Sequence, residues 1–243
     1  MLDAWLDLIH GGGCVGCGTP GRSLCRPCAA TLPTTGRVVR PTPCPPGLAT
    51  CVAAGDYADL LRAMVLAHKE HAVFALAEPL GRVLASTVAP LLGEGLGVLV
   101  PVPSRPAVVR ERGHDPMLRV TRSAARRLRV AGGRVRVHRL LEVRAPVLDQ
   151  AGLDAGQRAA NLSGSMAVRH RPRQRLAHAG VPVILVVCDD VLTTGATARE
   201  AQRALEANGL PVRAVATVAA TRRWLLPGRA PPRPGLPLSG HGD

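Results

Sequence analysis

The stretch of sequence that decides the fold is Val183-Ile-Leu-Val-Val-Cys-Asp-Asp-Val-Leu-Thr-Thr-Gly-Ala-Thr197. Its first part, Val183–Cys188, is apolar throughout, which is typical of a strand buried on both faces of a parallel sheet. Two adjacent acids follow, and then a loop of hydroxyl-bearing and small residues just before a predicted helix from about Ala196 to Asn208. The stretch therefore predicts a strand, a polar loop and a helix in immediate succession.

The polar loop carries the residue types that a phosphate and a sugar require. Asp189 and Asp190 come where the buried strand ends, and burying charge there is costly unless ligand hydroxyls or a metal ion meet it. Hydroxyls and backbone N–H groups at a helix N-terminus suit an anion, because the positive end of the helix dipole faces it. The residues that would supply them are Thr193, Thr194, Gly195, Ala196 and Thr197. The alternative interpretation is a threonine N-cap preceded by two solvated aspartates.

Outward from this stretch, segments of helical and strand-like periodicity alternate. Helices are predicted over Ala58–His68 and over Val73–Leu92, the latter interrupted by Pro79. Strands are predicted over Gly97–Val102 and Val212–Val218. Alternating strands and helices predict an α/β fold with a mainly parallel sheet and helices on both faces. In such sheets, ligands bind at the carboxyl ends of the strands.

Basic residues are concentrated in the middle of the chain. The formal net charge is +14, and residues 101–144 carry twelve arginines against three acids. In the helix predicted there, Arg119, Arg122, Arg126 and Arg129 share one face, and apolar side chains share the other. This basic face has two possible interpretations. It is either an ordinary solvated helix face or a surface that contacts the phosphates of a nucleotide or nucleic acid. Aromatic residues make up only 2% of the chain, which argues against a surface built for base stacking.

Four cysteines near the N-terminus form two Cys-x-x-Cys turns, Cys14/Cys17 and Cys25/Cys28. Two such turns supply the tetrahedral set of four thiolates that zinc prefers. Such a site leaves no open coordination position, so the sequence predicts structural zinc, with an iron–sulfur cluster or a redox pair as the alternatives. The other cysteines, Cys44, Cys51 and Cys188, are interpreted as incidental thiols.

The sequence predicts three regions. Residues 1–48 form a zinc module with a proline-rich connector, residues 49–225 the main domain, and residues 226–243 a disordered tail rich in Pro and Gly. Asp3 and Asp7 argue against a secretory signal, and no apolar run approaches the length of a membrane span. We therefore expect a cytoplasmic protein that does not insert into membranes.

The acid pair and the Thr-Thr-Gly-x-Thr loop resemble the phosphoribosyl-pyrophosphate (PRPP) loop of type I phosphoribosyltransferases. The zinc module before this domain resembles the ComF family of competence-associated proteins. Further matches are Lys69, Val100–Pro103, Arg112-Gly113, Gln150, Arg158 and Asn161. The chain departs from the family pattern at His114, Asp115 and Pro116, where Phe-Asn-Gln is usual, and at Cys188, where an aliphatic residue is expected.

The resemblance implies a type I phosphoribosyltransferase-like sheet and a role for each group of residues. Asp189 and Asp190 would hold the ribose hydroxyls, directly or through Mg²⁺, and the threonine loop the 5′-phosphate. Ser104, Arg105 and Arg112 would receive the pyrophosphate, with ordinary surface charge as the alternative for the arginines. The segment with Gln150, Arg158 and Asn161 has few long apolar runs, which favours a loop that closes over the site; caps of local turns are the alternative.

Two functional classes follow from this resemblance. One is an enzyme that transfers the phosphoribosyl group of PRPP to a base or another nucleophile. The other is a binding protein that keeps the pocket as a ligand site for PRPP or a related nucleotide. In this second class, the arginine face of the predicted helix would bind single-stranded DNA or a helicase during DNA uptake in natural competence.

Overall fold

A six-stranded sheet organises the part of the chain that the computed structural model describes, residues 13–144, 164–170 and 182–221. The strand order is β1-β2-β8-β7-β3-β4, in which only β1 is antiparallel to its neighbour. A separate antiparallel pair is formed by β5 and β6. The strands are β1 (Arg37–Val39), β2 (Cys51–Asp56), β3 (Leu96–Pro101), β4 (Val135–Val137), β5 (Leu141–Val143), β6 (Met166–Val168), β7 (Val183–Leu192) and β8 (Val212–Ala220).

Helices cover both faces of the sheet. They are α1 (Arg26–Ala30), α2 (Asp59–Glu70), α3 (Ala77–Val88), α4 (Pro106–Arg112), α5 (Pro116–Val130) and α6 (Ala196–Glu206). Side chains alternate along the central strands: Val186 packs with α2, α3 and α5 on one face, and Val187 packs with α6 on the other. The expectation of a mixed α/β fold with a mostly parallel sheet is confirmed.

Two predicted elements differ from the observed ones. Strand β7 extends four residues beyond Cys188 to Leu192, because its parallel pairing with β8 continues as far as Leu192 opposite Ala220. The acid pair thus belongs to the strand itself. The helix predicted over 73–92 is divided into α3 and two short 3₁₀ turns. Pro79 does not interrupt it, since it lies in the first turn of α3, where its missing N–H group is not needed.

The proline-rich residues 41–48, here called the strap, lie against helix α6. The Arg199 Nε donates to the carbonyl of Pro46 at 2.9 Å, and the Gln202 Nε2 donates to that of Gly47 at 2.9 Å. The Gln202 Oε1 accepts from the backbone N–H of Ala49 at 2.8 Å. Since β1 precedes the strap and pairs with β2, residues 37–48 are not a free connector. The domain boundaries themselves stay predictions.

The four-cysteine module also packs on the main sheet domain. Val15 and Leu24 contact the hydrophobic core on the α2–α3 side of the sheet, and Leu32 is only 4% exposed within that core. The Arg82 Nη2 of α3 donates to the carbonyl of Ala29 at 2.7 Å. The described part of the module is therefore joined to α3 by apolar contacts and a hydrogen bond.

Some sequence predictions fall outside the described residues. They concern Asp3, Asp7, Gln150, Arg158, Asn161 and the tail at 226–243. Among the residues that are described, no helix combines the length and apolar character needed to cross a bilayer.

The contact between the strap and the loop before α6 predicts a difference between two glycine substitutions. Gly195 and Gly209 both have left-handed backbones, with φ of +74° and +71°. A Cβ at Gly209 would meet no atom within 4 Å, whereas one at Gly195 would lie 2.9 Å from the Leu48 Cδ2 and 3.0 Å from the Pro41 Cγ. Gly209→Ala should lower the free energy of unfolding by ~1 kcal/mol through backbone strain alone. Gly195→Ala should lower it by about 1 kcal/mol more through overpacking.

Chemical denaturation of both variants measures this difference. Equal losses at the two positions would contradict the packing of the strap on Gly195.

Candidate functional site

A cavity of about 520 Å³ opens at the carboxyl ends of β3 and β7. Its volume falls in the range of small-molecule pockets, roughly 300–1,000 Å³. Five parts of the fold bring polar side chains to it: Tyr57 after β2, the end of α2, the loop after β3 with α4, the end of β7, and the following loop with the first turn of α6. This position agrees with the rule that ligands of parallel α/β sheets bind at the carboxyl ends of the strands. We call it the acid-pair cavity.

The acid pair, Asp189 and Asp190, lies on one wall of this cavity. The Asp190 Oδ1 accepts from the N–H of Val191 at 2.8 Å, and the Asp189 Oδ1 accepts from the N–H of Asp190 at 2.9 Å. Desolvation, together with the adjacent charge of Asp190, raises the pKa of Asp189 to about 8. A cation or hydroxyl donors at this wall would offset that shift by stabilising the charged form of Asp189.

Lys69, at the end of α2, forms an ion pair with the acid pair. Its Nζ donates to the Asp190 Oδ2 at 2.7 Å. Burial alone would lower the pKa of Lys69, but the charge and hydrogen bond of Asp190 and the charge of Asp189 raise it above its usual value. The lysine is thus a fixed cation that fastens the end of α2 to the end of β7.

The threonine loop joins the cavity to the N-terminus of α6. Thr193 and Thr197 line the cavity, whereas Gly195 and Ala196 are buried. The Thr194 hydroxyl accepts from the N–H of Ala196 at 3.4 Å. Gly195 is the N-cap residue and has no side chain to cap α6, so the amides of the next residues in the first turn lack an acceptor within the helix. The N-terminus of α6 and the two lining hydroxyls are of the chemical kind that suits an anion.

The cavity is also lined by Ser104, Arg105 and Arg112, and their expected role in receiving pyrophosphate stays a prediction. Arg105 is the N-cap residue of α4, and Arg112 is the last residue of that helix. The Arg112 Nη2 forms a close ion pair with the Glu70 Oε2. Sequence reasoning missed Glu70, and the one signal for it was its position next to Lys69.

His114 does not line the acid-pair cavity. It is 6% exposed, with its Nε2 3.2 Å from the carbonyl oxygen of His68 and its Nδ1 3.0 Å from that of Arg112. Its ring also meets Phe74 edge to face, with centroids 4.7 Å apart. The residue therefore links the loop after α4 to the end of α2, which is a structural role.

The basic face of α5 borders a second cleft of about 530 Å³. Arg119, Arg122 and Arg126 line it together with Phe74 and Glu78, and the Arg119 guanidinium lies 4.3 Å from the centroid of the Phe74 ring. The fourth predicted arginine is directed elsewhere. The Arg129 Nη1 donates to the carbonyl of Val135 at 3.3 Å, and this side chain does not line the cleft.

The four cysteines predicted to hold a metal lie together. The sulfur atoms of Cys14, Cys17, Cys25 and Cys28 are all within 4.8 Å of one another. The Cys17 and Cys25 sulfur atoms are 3.6 Å apart, close to the spacing of about 3.8 Å in a tetrahedral zinc site with bonds of ~2.3 Å. Four such thiols could hold a metal such as zinc.

The surroundings of the cluster shift the pKa values of Cys14 and Cys28 in opposite directions. Burial alone would raise the pKa of Cys14, but backbone N–H groups lower it to about 6. Neighbouring sulfur groups, Cys25 foremost, raise the pKa of Cys28 to about 12. A bound cation would favour all four thiolates, so metal binding should release protons.

No family model matches the chain, and no curated protein shows significant similarity to it. The geometry and chemistry of its own residues therefore carry the functional proposal.

Metal analysis tests the cysteine cluster directly. One zinc ion per chain is expected by elemental mass spectrometry, and Cys25→Ser should lose it and lower the thermal stability, because metal binding contributes folding free energy. Cys51→Ser is the matched control, since Cys51 lies outside the cluster, in β2. A metal-free protein or an iron-containing one would contradict the prediction of zinc.

Proposed function

We propose that the acid-pair cavity binds PRPP, or a related nucleotide, together with Mg²⁺, and that the chain is a type I phosphoribosyltransferase-like protein of the ComF kind. One observation carries the proposal: the acid pair, the threonine loop at the N-terminus of α6, and the loop with Ser104 and Arg105 all border one cavity. PRPP has three chemical parts, a 5′-phosphate, a ribose diol and a diphosphate, and each has a matching group here.

The phosphate and the diol suit neighbouring parts of the cavity. Thr193, Thr197 and the first-turn amides of α6 supply donors for a 5′-phosphate. Asp189 and Asp190, a few residues earlier, supply acceptors for the two ribose hydroxyls or oxygen ligands for Mg²⁺. When bound, the ion would add positive charge that offsets the charge of the diphosphate.

The chemistry would be a displacement at the anomeric carbon of the ribose. A nucleophile on the acceptor forms a bond to that carbon while the carbon–oxygen bond to the diphosphate breaks and pyrophosphate leaves. Positive charge develops on the sugar, and the carboxylate of Asp190 stabilises it electrostatically. Arg105 and Arg112 lie where they can stabilise the negative charge of the leaving group.

Calorimetric titration with PRPP and Mg²⁺ tests this proposal. The double variant Asp189→Asn/Asp190→Asn should bind at least tenfold more weakly, because each charge-assisted hydrogen bond contributes ~1.5–3 kcal/mol and ~1.4 kcal/mol corresponds to a factor of ten. Glu142→Gln in β5 is the control, because its carboxylate lies outside the cavity. A folded wild-type chain that fails to bind, or a double variant that binds equally well, would refute the proposal.

A second candidate function is binding of single-stranded nucleic acid, in concert with a helicase in DNA uptake. The observation in its favour is the cleft on α5. Among the described residues, no acid lies within ion-pair distance of Arg119, Arg122 or Arg126, so these three charges are available to phosphates. Phosphate contacts of this kind give affinity without sequence preference.

Charge reversal on α5 separates this function from PRPP binding. Arg122→Glu/Arg126→Glu should weaken binding of a mixed-sequence single-stranded oligonucleotide and lower the log–log salt slope by about 2. Affinity for PRPP should not change. Arg134→Glu/Arg136→Glu makes the same change in net charge away from the cleft and should have a smaller effect. Equal losses in both double variants would show that only the overall charge matters.

A further inference from the structure

Two consecutive side chains at the end of α2 engage opposite walls of the acid-pair cavity. Lys69 pairs with Asp190 on the β7 wall, and Glu70 pairs with Arg112 on the α4 wall. All four side chains line the cavity. The end of a single helix therefore engages an acid on one side and a base on the other.

These pairs leave little uncompensated positive charge for an anion. The cationic residues of the cavity lining are Lys69, Arg105 and Arg112. Lys69 and Arg112 are paired with the carboxylates of Asp190 and Glu70. Of the three cations, only Arg105 has no ion pair to a described residue. An anion that binds near α4 must therefore compete with Glu70 for Arg112.

We propose that Glu70 is a competing carboxylate. It pairs with Arg112 while the cavity is empty, and a diphosphate group displaces it from Arg112 on binding. This inference rests on the proposed function for its ligand, because the diphosphate is that of PRPP or of released pyrophosphate. A diphosphate carries more charge than a single phosphate and offers two groups to Arg105 and Arg112 at once. Glu70 thereby favours diphosphates over monophosphates in this part of the cavity.

The position of Glu70 suits such an exchange. Its side chain is 40% exposed, so the displaced carboxylate can return to water at little cost, whereas Asp190 on the other wall is 19% exposed. Glu70 is also the last residue of α2, where the negative end of the helix dipole disfavours a carboxylate. Arg112 thus provides its main compensating charge among the described residues.

The backbone around the pair is held in place. His114 lies within hydrogen-bond distance of the carbonyl oxygens of His68 and Arg112, at 3.2 and 3.0 Å. These contacts link the residue before Lys69 to the last residue of α4. We therefore expect the exchange to proceed by rotation of the Glu70 and Arg112 side chains.

Titration with inorganic pyrophosphate, inorganic phosphate and PRPP, each with Mg²⁺, tests the inference. Glu70→Gln should bind pyrophosphate ~5-fold more tightly, since a partly exposed ion pair is worth up to ~1 kcal/mol. Its preference for pyrophosphate over phosphate should fall. Arg112→Gln should bind pyrophosphate more weakly, and adding Glu70→Gln to that variant should have a smaller effect than it has in the wild type. Glu142→Gln, again outside the cavity, controls for the change in net charge.

The outcomes separate this inference from the proposed function. If PRPP binds and the acid-pair variant loses it, but Glu70→Gln binds pyrophosphate no more tightly than the wild type, the competing role is wrong and the proposed function stands. If Glu70→Gln binds pyrophosphate more tightly through Arg112 while PRPP does not bind, the competing role stands and the proposed function fails. If neither anion binds to any folded variant, both are wrong. Glu70→Ala repeats the test should Glu70→Gln prove unstable.

Discussion

The ion pair between Lys69 and Asp190 is the constraint on which the candidate site depends. Strand β7 lies inside the sheet between β8 and β3, and its pairing with β8 continues past the acids. The fold therefore carries two adjacent carboxyl groups to the partly desolvated end of a central strand. Such groups are costly without compensation, and the Lys69 ammonium at 2.7 Å supplies a fixed positive charge. Apolar packing of Met64 and Val65 places α2 on the sheet, and the ion pair then fixes its C-terminal end, including Glu70, beside the acid pair.

A second set of contacts joins the cysteine cluster to the threonine loop. From α1 the chain enters the core at Leu32, pairs with β2 through β1, and then forms the strap. The strap packs on Gly195 and is hydrogen-bonded by Arg199 and Gln202 of α6. Helix α6, whose N-terminus borders the cavity, is thus contacted by the strap, which follows the cysteine cluster in the chain. A metal ion would stabilise the cysteine cluster, where this series of contacts begins. Its effect on stability would therefore extend to β1 and the strap.

The sequence was most informative where a local pattern is enough. The apolar run before Asp189 located the first six residues of β7, and Cys-x-x-Cys spacing located the cluster. The spacing of the arginines identified the basic face of α5, but not the turn of Arg129 toward Val135, which depends on β4. The structural role of the strap was also missed, because proline-rich composition is typical of connectors and its partners lie about 150 residues away on α6. Glu70 escaped notice for the same reason, since only the fold brings it to Arg112.

The segment of residues 112–119 lines both the acid-pair cavity and the second cleft, so a movement of this segment would affect both. Arg112, Pro116 and Met117 line the acid-pair cavity, while the second cleft is lined by the intervening residues 113–115 and by Arg119. His114 holds this segment to the end of α2, and Asp115 caps α5 by accepting from the N–H of Leu118 at 3.1 Å. A rearrangement that moved Arg112 through its backbone would therefore also disturb the start of the basic helix. An exchange confined to the side chains of Glu70 and Arg112 avoids this disturbance, and a ligand could then enter the acid-pair cavity without changing the arginines of the second cleft.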